Sequence, residues 1–123
     1  MTGGAQARLL GKWGESLVAD DLRGKGWNIR NMNYRCRFGE IDIIAEKGGI
    51  LALVEVKLRK SDRFAPGRAF VTSEKQRKLR SAAELYLMEH PTQLQPRFDV
   101  AEVYAPEGSS TRKPIITYIV NAF

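Results

Sequence analysis

Between Arg8 and Lys25 the apolar residues Leu10, Trp13, Leu17, Val18 and Leu22 recur at the three- and four-residue spacing of one buried helical face. Gly24 and Gly26 close that helix. Residues 1–7 show no such spacing and read as a flexible tail. Trp27–Arg30 is a short strand, and Asn31-Met32-Asn33 reads as a turn leading to Tyr34 and Arg35. Two strand-like runs follow, roughly 38–46 and 51–59, joined by Lys47-Gly48-Gly49-Ile50, in which Gly48-Gly49 fits a two-residue hairpin turn. Residues 61–71 contain Pro66 and Gly67, lack periodicity and read as a mobile basic loop. Ser73-Glu74-Lys75-Gln76 fits a capping box opening a second helix, with Leu79, Ala82, Ala83, Tyr86 and Leu87 on its apolar face. His90-Pro91 stops it. Arg97–Val103 alternates like a strand, 106–114 is a loop, and Ile115–Val120 is a last β-rich run. The order α-β-β-β-α-β-β predicts a mixed α/β fold, a mixed sheet flanked by helices, in one domain from residue 8 to 123.

The hairpin carries acids inside its apolar runs: Gly39-Glu40-Ile41-Asp42-Ile43-Ile44, then Leu53-Val54-Glu55-Val56-Lys57. A turn at Gly48-Gly49 pairs Lys47 with Ile50, and that register sets Asp42 opposite Glu55 and Glu40 opposite Lys57. Like charges directly opposed destabilise a sheet, so the Asp42/Glu55 pair calls for a compensating cation. A divalent metal held by oxygen ligands is the simplest one. Glu55 and Lys57 are two apart and share a face, and Asp42 joins them if the register holds. A structural ion network, with Glu40 paired to Lys57, is the competing reading; it leaves the Asp42/Glu55 repulsion unexplained.

Composition narrows the partners. The chain has 123 residues, 43% hydrophobic and 28% charged, enough to bury one core without staples. No apolar run reaches 18 residues and no signal-peptide pattern opens the chain, so a cytoplasmic protein is expected. The single cysteine, Cys36, cannot form an internal disulfide, in keeping with a reducing compartment. The net charge of +6 is concentrated: from Lys57 to Arg80 nine basic residues stand against two acids. Such a segment beside carboxylates suits a nucleic-acid backbone held near a metal. Arg59, Arg63, Arg68, Arg77 and Lys78 are candidates for phosphate contacts, with plain surface charge as the alternative. Lys75 and Gln76 sit at a helix start, where the dipole favours anions. Gln76 could hold a water or phosphate, or serve only the cap. Trp13, Trp27, Tyr86 and Phe98 fall at core positions, so no base-stacking platform is expected. His90, at a helix end, is no candidate for a general base.

Beyond these patterns, blocks of the chain resemble a known family. They are Gly14-Glu15, Asn33-Tyr34-Arg35-Cys36-Arg37, Gly39-Glu40-Ile41-Asp42, Val54-Glu55-Val56-Lys57, Lys75-Gln76, Arg97-Phe98-Asp99-Val100 and Asn121-Ala122-Phe123. In this order, over nearly the whole chain, they resemble the YraN-like family of predicted endonucleases within the PD-(D/E)XK nuclease superfamily, distantly related to archaeal Holliday-junction resolvases. The resemblance implies a restriction-endonuclease-like core, with Asp42 and Glu55 as metal-binding carboxylates and Lys57 as the catalytic lysine. Glu15 matches the helix glutamate that some members add to the catalytic and metal site; a solvent-facing glutamate is its alternative. Mg²⁺ or Mn²⁺ suits these oxygen ligands, and one His and one Cys offer no zinc cluster. The implied activity is metal-dependent phosphodiester hydrolysis in DNA, at branched or irregular structures by analogy alone. A DNA-binding module of the same fold without turnover is the alternative, and a homodimer is plausible by analogy with resolvases. Arg97 and Asp99 match the blocks without a mechanistic role, and a local salt bridge is the default reading for them.

Overall fold

In the computed structural model, residues 2–60 and 71–123 are described. Helix α1 spans Thr2–Gly24, followed by β1 (Asn28–Cys36), β2 (Gly39–Lys47), β3 (Ile50–Arg59), α2 (Ser73–Glu89), β4 (Gln95–Tyr104) and β5 (Ile115–Ile119). The strands form one sheet in the order β1-β2-β3-β4-β5. All neighbours are antiparallel except β3 and β4, which run parallel because α2 lies in the connection between them. This is the mixed α/β fold and element order that the sequence predicts.

The strands β2, β3 and β4 are buried on both faces, which explains their near-continuous apolar runs. On one face Val18, Ala19 and Leu22 of α1 pack on Ile43, Ala45, Ala52, Val54, Ala101 and Val103. On the other, Leu79, Ala82, Ala83 and Tyr86 of α2 pack on Ile44, Leu51, Leu53 and Val100. The β2–β3 turn has positive φ at both Gly48 and Gly49 (55° and 81°), the backbone a two-residue primed turn requires. The predicted register follows: Lys47 pairs with Ile50, Ala45 with Ala52 and Ile43 with Val54.

Three expectations need correction. Helix α1 begins at Thr2, inside the stretch read as a tail. Ala5, Gln6, Ala7 and Arg8 favour helix, but residues 4–8 are exposed and have no apolar face for periodicity to reveal. Asn31-Met32-Asn33 is not a turn; it lies within β1 and pairs along β2, just past a register shift between Ile29 and Asn31, and Asn33 takes a left-handed backbone (φ 54°) inside the strand. The α2 N-cap is Thr72, whose hydroxyl accepts from the Lys75 N–H, because Thr72 is the last extended residue. Gln76 donates its amide to the Val71 carbonyl at 3.0 Å, so no box centred on Ser73 forms. The predicted loop at 61–71 falls, but for Val71, outside the described residues, as do Arg63 and Arg68.

Arg97 and Asp99 do form a local salt bridge. Arg97 donates through Nε and Nη2 to the two carboxylate oxygens of Asp99, each at 2.9 Å. Buried Asp99 also accepts the N–H of Asn121, a second left-handed asparagine, and the next residue, Ala122, donates its N–H to the Phe98 carbonyl. Phe123 then stacks on Phe98 at 5.0 Å. Asp99 thus ties the C-terminal turn to β4. Asp99→Ala is expected to cost about 2–4 kcal/mol in denaturant unfolding, since it strands a half-buried guanidinium and a backbone N–H together.

Candidate metal and nucleic-acid site

The chain brings its acids together where two strands stop behaving as regular strands. In β2, Ile41 packs on the α2 side and Ile43 on the α1 side, although an unbroken alternation would put both on one face. In β1, Met32 and Tyr34 divide in the same way. The cross-strand pairs Met32–Ile43 and Tyr34–Ile41 bracket Asn33 and Asp42, so both strands change face at one level. The β2–β3 ladder runs only as far as Ile43–Val54. Beyond it, Asp42 Oδ2 accepts the Val56 N–H at 2.8 Å, a side chain taking the place of a backbone carbonyl. The gap is one in the backbone ladder between β2 and β3, and the acids flank it.

Helix α1 supplies Glu15 because Gly14 lets it approach the sheet: a Cβ at Gly14 would come within 3.1 Å of the Leu58 side chain. Carboxylate oxygens of Glu15, Glu40 and Asp42 all lie within 4.8 Å of one another. Asn33 Nδ2 holds two of these acids, donating to Glu15 at 2.8 Å and to Glu40 at 2.9 Å. The other Glu40 oxygen accepts from Arg35 Nε at 2.8 Å. Glu40 thus pairs with Arg35 across β1 and β2, where the competing ion-network reading has it paired with Lys57.

Asp42 and Glu55 are buried neighbours. Burial, then the hydrogen bond and charge of Glu55, push the Asp42 carboxyl up to about 9, against a smaller opposing effect of the Val56 N–H. Burial also works to raise Glu55, but the Asp42 hydrogen bond and the ammonium groups of Lys75 and Lys57 outweigh it and hold Glu55 below the ordinary range. Of the two carboxyls, Asp42 is the one whose surroundings favour holding a proton. Lys75 Nζ lies 2.7 Å from Glu55 Oε2 and Lys57 Nζ 4.0 Å from it. Glu55 Oε2 is shielded from water, and Lys75, which hydrogen-bonds to Glu55 and holds its acidity, is the cation that meets it. An all-oxygen donor set crowded with like charge, three of its carboxylates within 4.8 Å of one another, fits a hard divalent cation. Cys36 and His90 stand apart from it, His90 stacking on Tyr86 at the end of α2.

The structure thus gathers Glu15, Asp42, Glu55, Lys57 and Lys75. Gln76 is turned back to Val71. Arg77 and Lys78 are exposed on the first turns of α2, Lys78 beside Glu74 at 3.6 Å. Arg59 is set apart from them: it forms a 2.8 Å pair with Glu102 across β3 and β4, with both side chains only 13% exposed. At this strand end Arg59 is half-buried, with its guanidinium engaged by Glu102. Arg63 and Arg68 lie outside the described residues. Glu40 and Asn33 also join the acidic group, which strand periodicity does not signal, although both fall within the sequence blocks that resemble the YraN-like family.

Among the described residues no helix is long and apolar enough to cross a membrane. Residues 14–103 match the model of a family described as "Uncharacterised protein family UPF0102". The "UPF0102 protein" of Syntrophomonas wolfei is 41% identical over 117 residues, covering 94% of this chain and 98% of that one. A UPF0102 protein of Symbiobacterium thermophilum is 46% identical over 105 residues, covering 83% and 88%. One from Caldanaerobacter subterraneus is 38% identical over 118 residues, covering 94% and 95%. The matched stretch takes in Glu15, Glu40, Asp42, Glu55, Lys57 and Lys75, and the chain belongs to the uncharacterised protein family UPF0102, the YraN-like family its sequence blocks resemble.

Proposed function

We propose that this protein is a divalent-metal-dependent nuclease that hydrolyses phosphodiester bonds in DNA. The observation that carries the reading is the gathering of Glu15, Glu40, Asp42 and Glu55 from α1, β2 and β3 around one gap, with Lys57 and Lys75 at its edge. Asp42 and Glu55 are the central ligands and Glu15 completes the set from the helix. Mg²⁺ or Mn²⁺ bound there supplies Lewis-acid stabilisation of charge on the phosphate and acidifies the attacking water.

The protein's own groups do the rest. Val56 N–H fixes one Asp42 oxygen, so the carboxylate cannot rotate away from the gap. Lys57, held at the edge by Glu55, orients the nucleophile and balances the charge that develops on the phosphate. Exposed Arg77 and Lys78, together with Lys75, present cations to flanking phosphates along the first turns of α2. Asn33 keeps Glu15 and Glu40 turned inward despite their mutual repulsion. Asn33→Ala is expected to weaken Mn²⁺ binding about tenfold in calorimetric titration, while the melting temperature moves by only a few degrees.

Titration of Mn²⁺ into the wild type, Asp42→Ala and Glu55→Ala tests the site. Binding present in the first and lost in both variants supports the reading; equal binding in all three removes its basis. DNA affinity measured against salt provides a second test. Three or four phosphate contacts give a slope of about −3 in log K against log salt.

A further inference from the structure

Lys75 lies closer to a proposed metal ligand than Lys57 does. Its Nζ is 2.7 Å from Glu55 Oε2, while Lys57 Nζ is 4.0 Å away. That oxygen is shielded from solvent, so it depends on a cation at close range, and Lys75 is the nearer of the two that serve it. Lys75 itself is not locked in. Its side chain is 44% exposed, on a stem rooted in the first turn of α2. It lines two open hollows, one of about 240 Å³ with Phe38, Gly39, Glu40, Lys78 and Leu79, the other of about 230 Å³ with Thr72, Glu74 and Lys78. The ammonium therefore has somewhere else to go.

We propose that Lys75 is an exchangeable counter-ion, competing with the divalent cation for Glu55 and, once displaced, binding a phosphate of the nucleic acid. The inference rests on the metal-dependent reading above. An ammonium and a divalent ion cannot both sit against one carboxylate oxygen, because they need the same space and repel each other. Metal entry at Glu55 releases Lys75 into the hollows beside it, where Lys78 already presents positive charge towards a polyanion. Lys75 thus opposes metal binding in the absence of DNA and favours it when a phosphate takes up the freed ammonium. Metal and nucleic acid then bind with positive coupling, each raising the affinity for the other. Lys57, further from Glu55, has no such role; it stays beside the ligand it serves.

Opposite signs in two measurements test this. In calorimetric titration with Mn²⁺ alone, Lys75→Met is expected to bind about tenfold more tightly than wild type. Lys78→Met, which removes the same charge from a position paired with Glu74, is expected to shift affinity by less than about threefold, the contribution of screened charge. In fluorescence anisotropy with a labelled DNA oligonucleotide in Ca²⁺, Lys75→Met is expected to bind about three- to tenfold more weakly. Lys75→Gln repeats both measurements with a polar side chain, and circular dichroism checks that each variant is folded. Wild type with measurably higher Mn²⁺ affinity in the presence of the oligonucleotide, and a Lys75→Met variant without that gain, complete the expected pattern. Unchanged or weaker Mn²⁺ binding in both Lys75 variants, with wild-type binding still abolished by Glu55→Ala, overturns the counter-ion role and leaves the metal site standing. Mn²⁺ binding that is indifferent to Glu55→Ala overturns the metal site and the inference together.

Discussion

Asp42→Asn is expected to abolish metal-dependent cleavage and, in metal-free solution, to make the protein more stable than the wild type at alkaline pH. On the proposed mechanism, losing this charged carboxylate removes several kcal/mol of charge stabilisation, a fall of about a thousandfold or more in rate. The stability gain has a separate origin. In the folded chain Asp42 is raised from an ordinary 3.8 to about 9 by burial and by Glu55. Between those values the native state holds a proton that the unfolded chain has lost, so stability falls as pH rises through the window. Glu55 shifts the other way, and its contribution changes only below its ordinary 4.5, outside that window. Asparagine has no charge to bury, and it can still accept the Val56 N–H. The advantage of the variant is therefore small at pH 5 and grows towards pH 9, reaching about 1–4 kcal/mol, comparable with other replacements of buried charges. Thermal melts in a chelating buffer across that range check it; parallel wild-type and variant curves would show that Asp42 is not buried against Glu55 as described.

Lys57→Met is expected to separate chemistry from binding. The ammonium stands 4.0 Å from Glu55 Oε2 on a side chain that is 27% exposed, so its loss leaves the core and the carboxylates intact. Methionine preserves the length of the stem. Removal of a cation aimed at developing charge costs about a hundred- to a thousandfold in rate. DNA affinity in Ca²⁺ and Mn²⁺ affinity should each change by less than about threefold. A proportional loss of binding and cleavage would instead make Lys57 an ordinary phosphate contact.

What the sequence reveals and what it conceals divide along one physical line. The Gly48-Gly49 turn follows from a short-range rule, since two adjacent residues tolerate positive φ, and it fixes the register from Lys47 to Ile43. Leu79, Ala82, Ala83 and Tyr86 are legible for a similar reason, because a regular helix repeats its buried face. The irregular places are where alternation misleads. Asp42 and Asn33 break their strands at the same level, and no pattern that assumes regular strands can foresee it. Glu40 consequently read as a partner for Lys57, when it joins Glu15 and Asp42 instead. Arg59 belongs to a basic run in the sequence, and the parallel pairing of β3 with β4 also brings Glu102 within reach of it. That contact spans 43 residues of sequence and depends on where α2 returns the chain. Asn33 and Asp42, where strand alternation fails, lie at the acidic gap, as expected where local regularity yields to a site.

The most direct measurement is cleavage of end-labelled linear duplex, single-stranded, flap and four-way-junction DNA in Mg²⁺ and in Mn²⁺, with Glu55→Ala alongside. The account predicts metal-dependent products from at least one substrate with the wild type and none with the variant. Intact substrates throughout, from a protein shown to bind both DNA and metal, would contradict it and leave a binding module of the same fold.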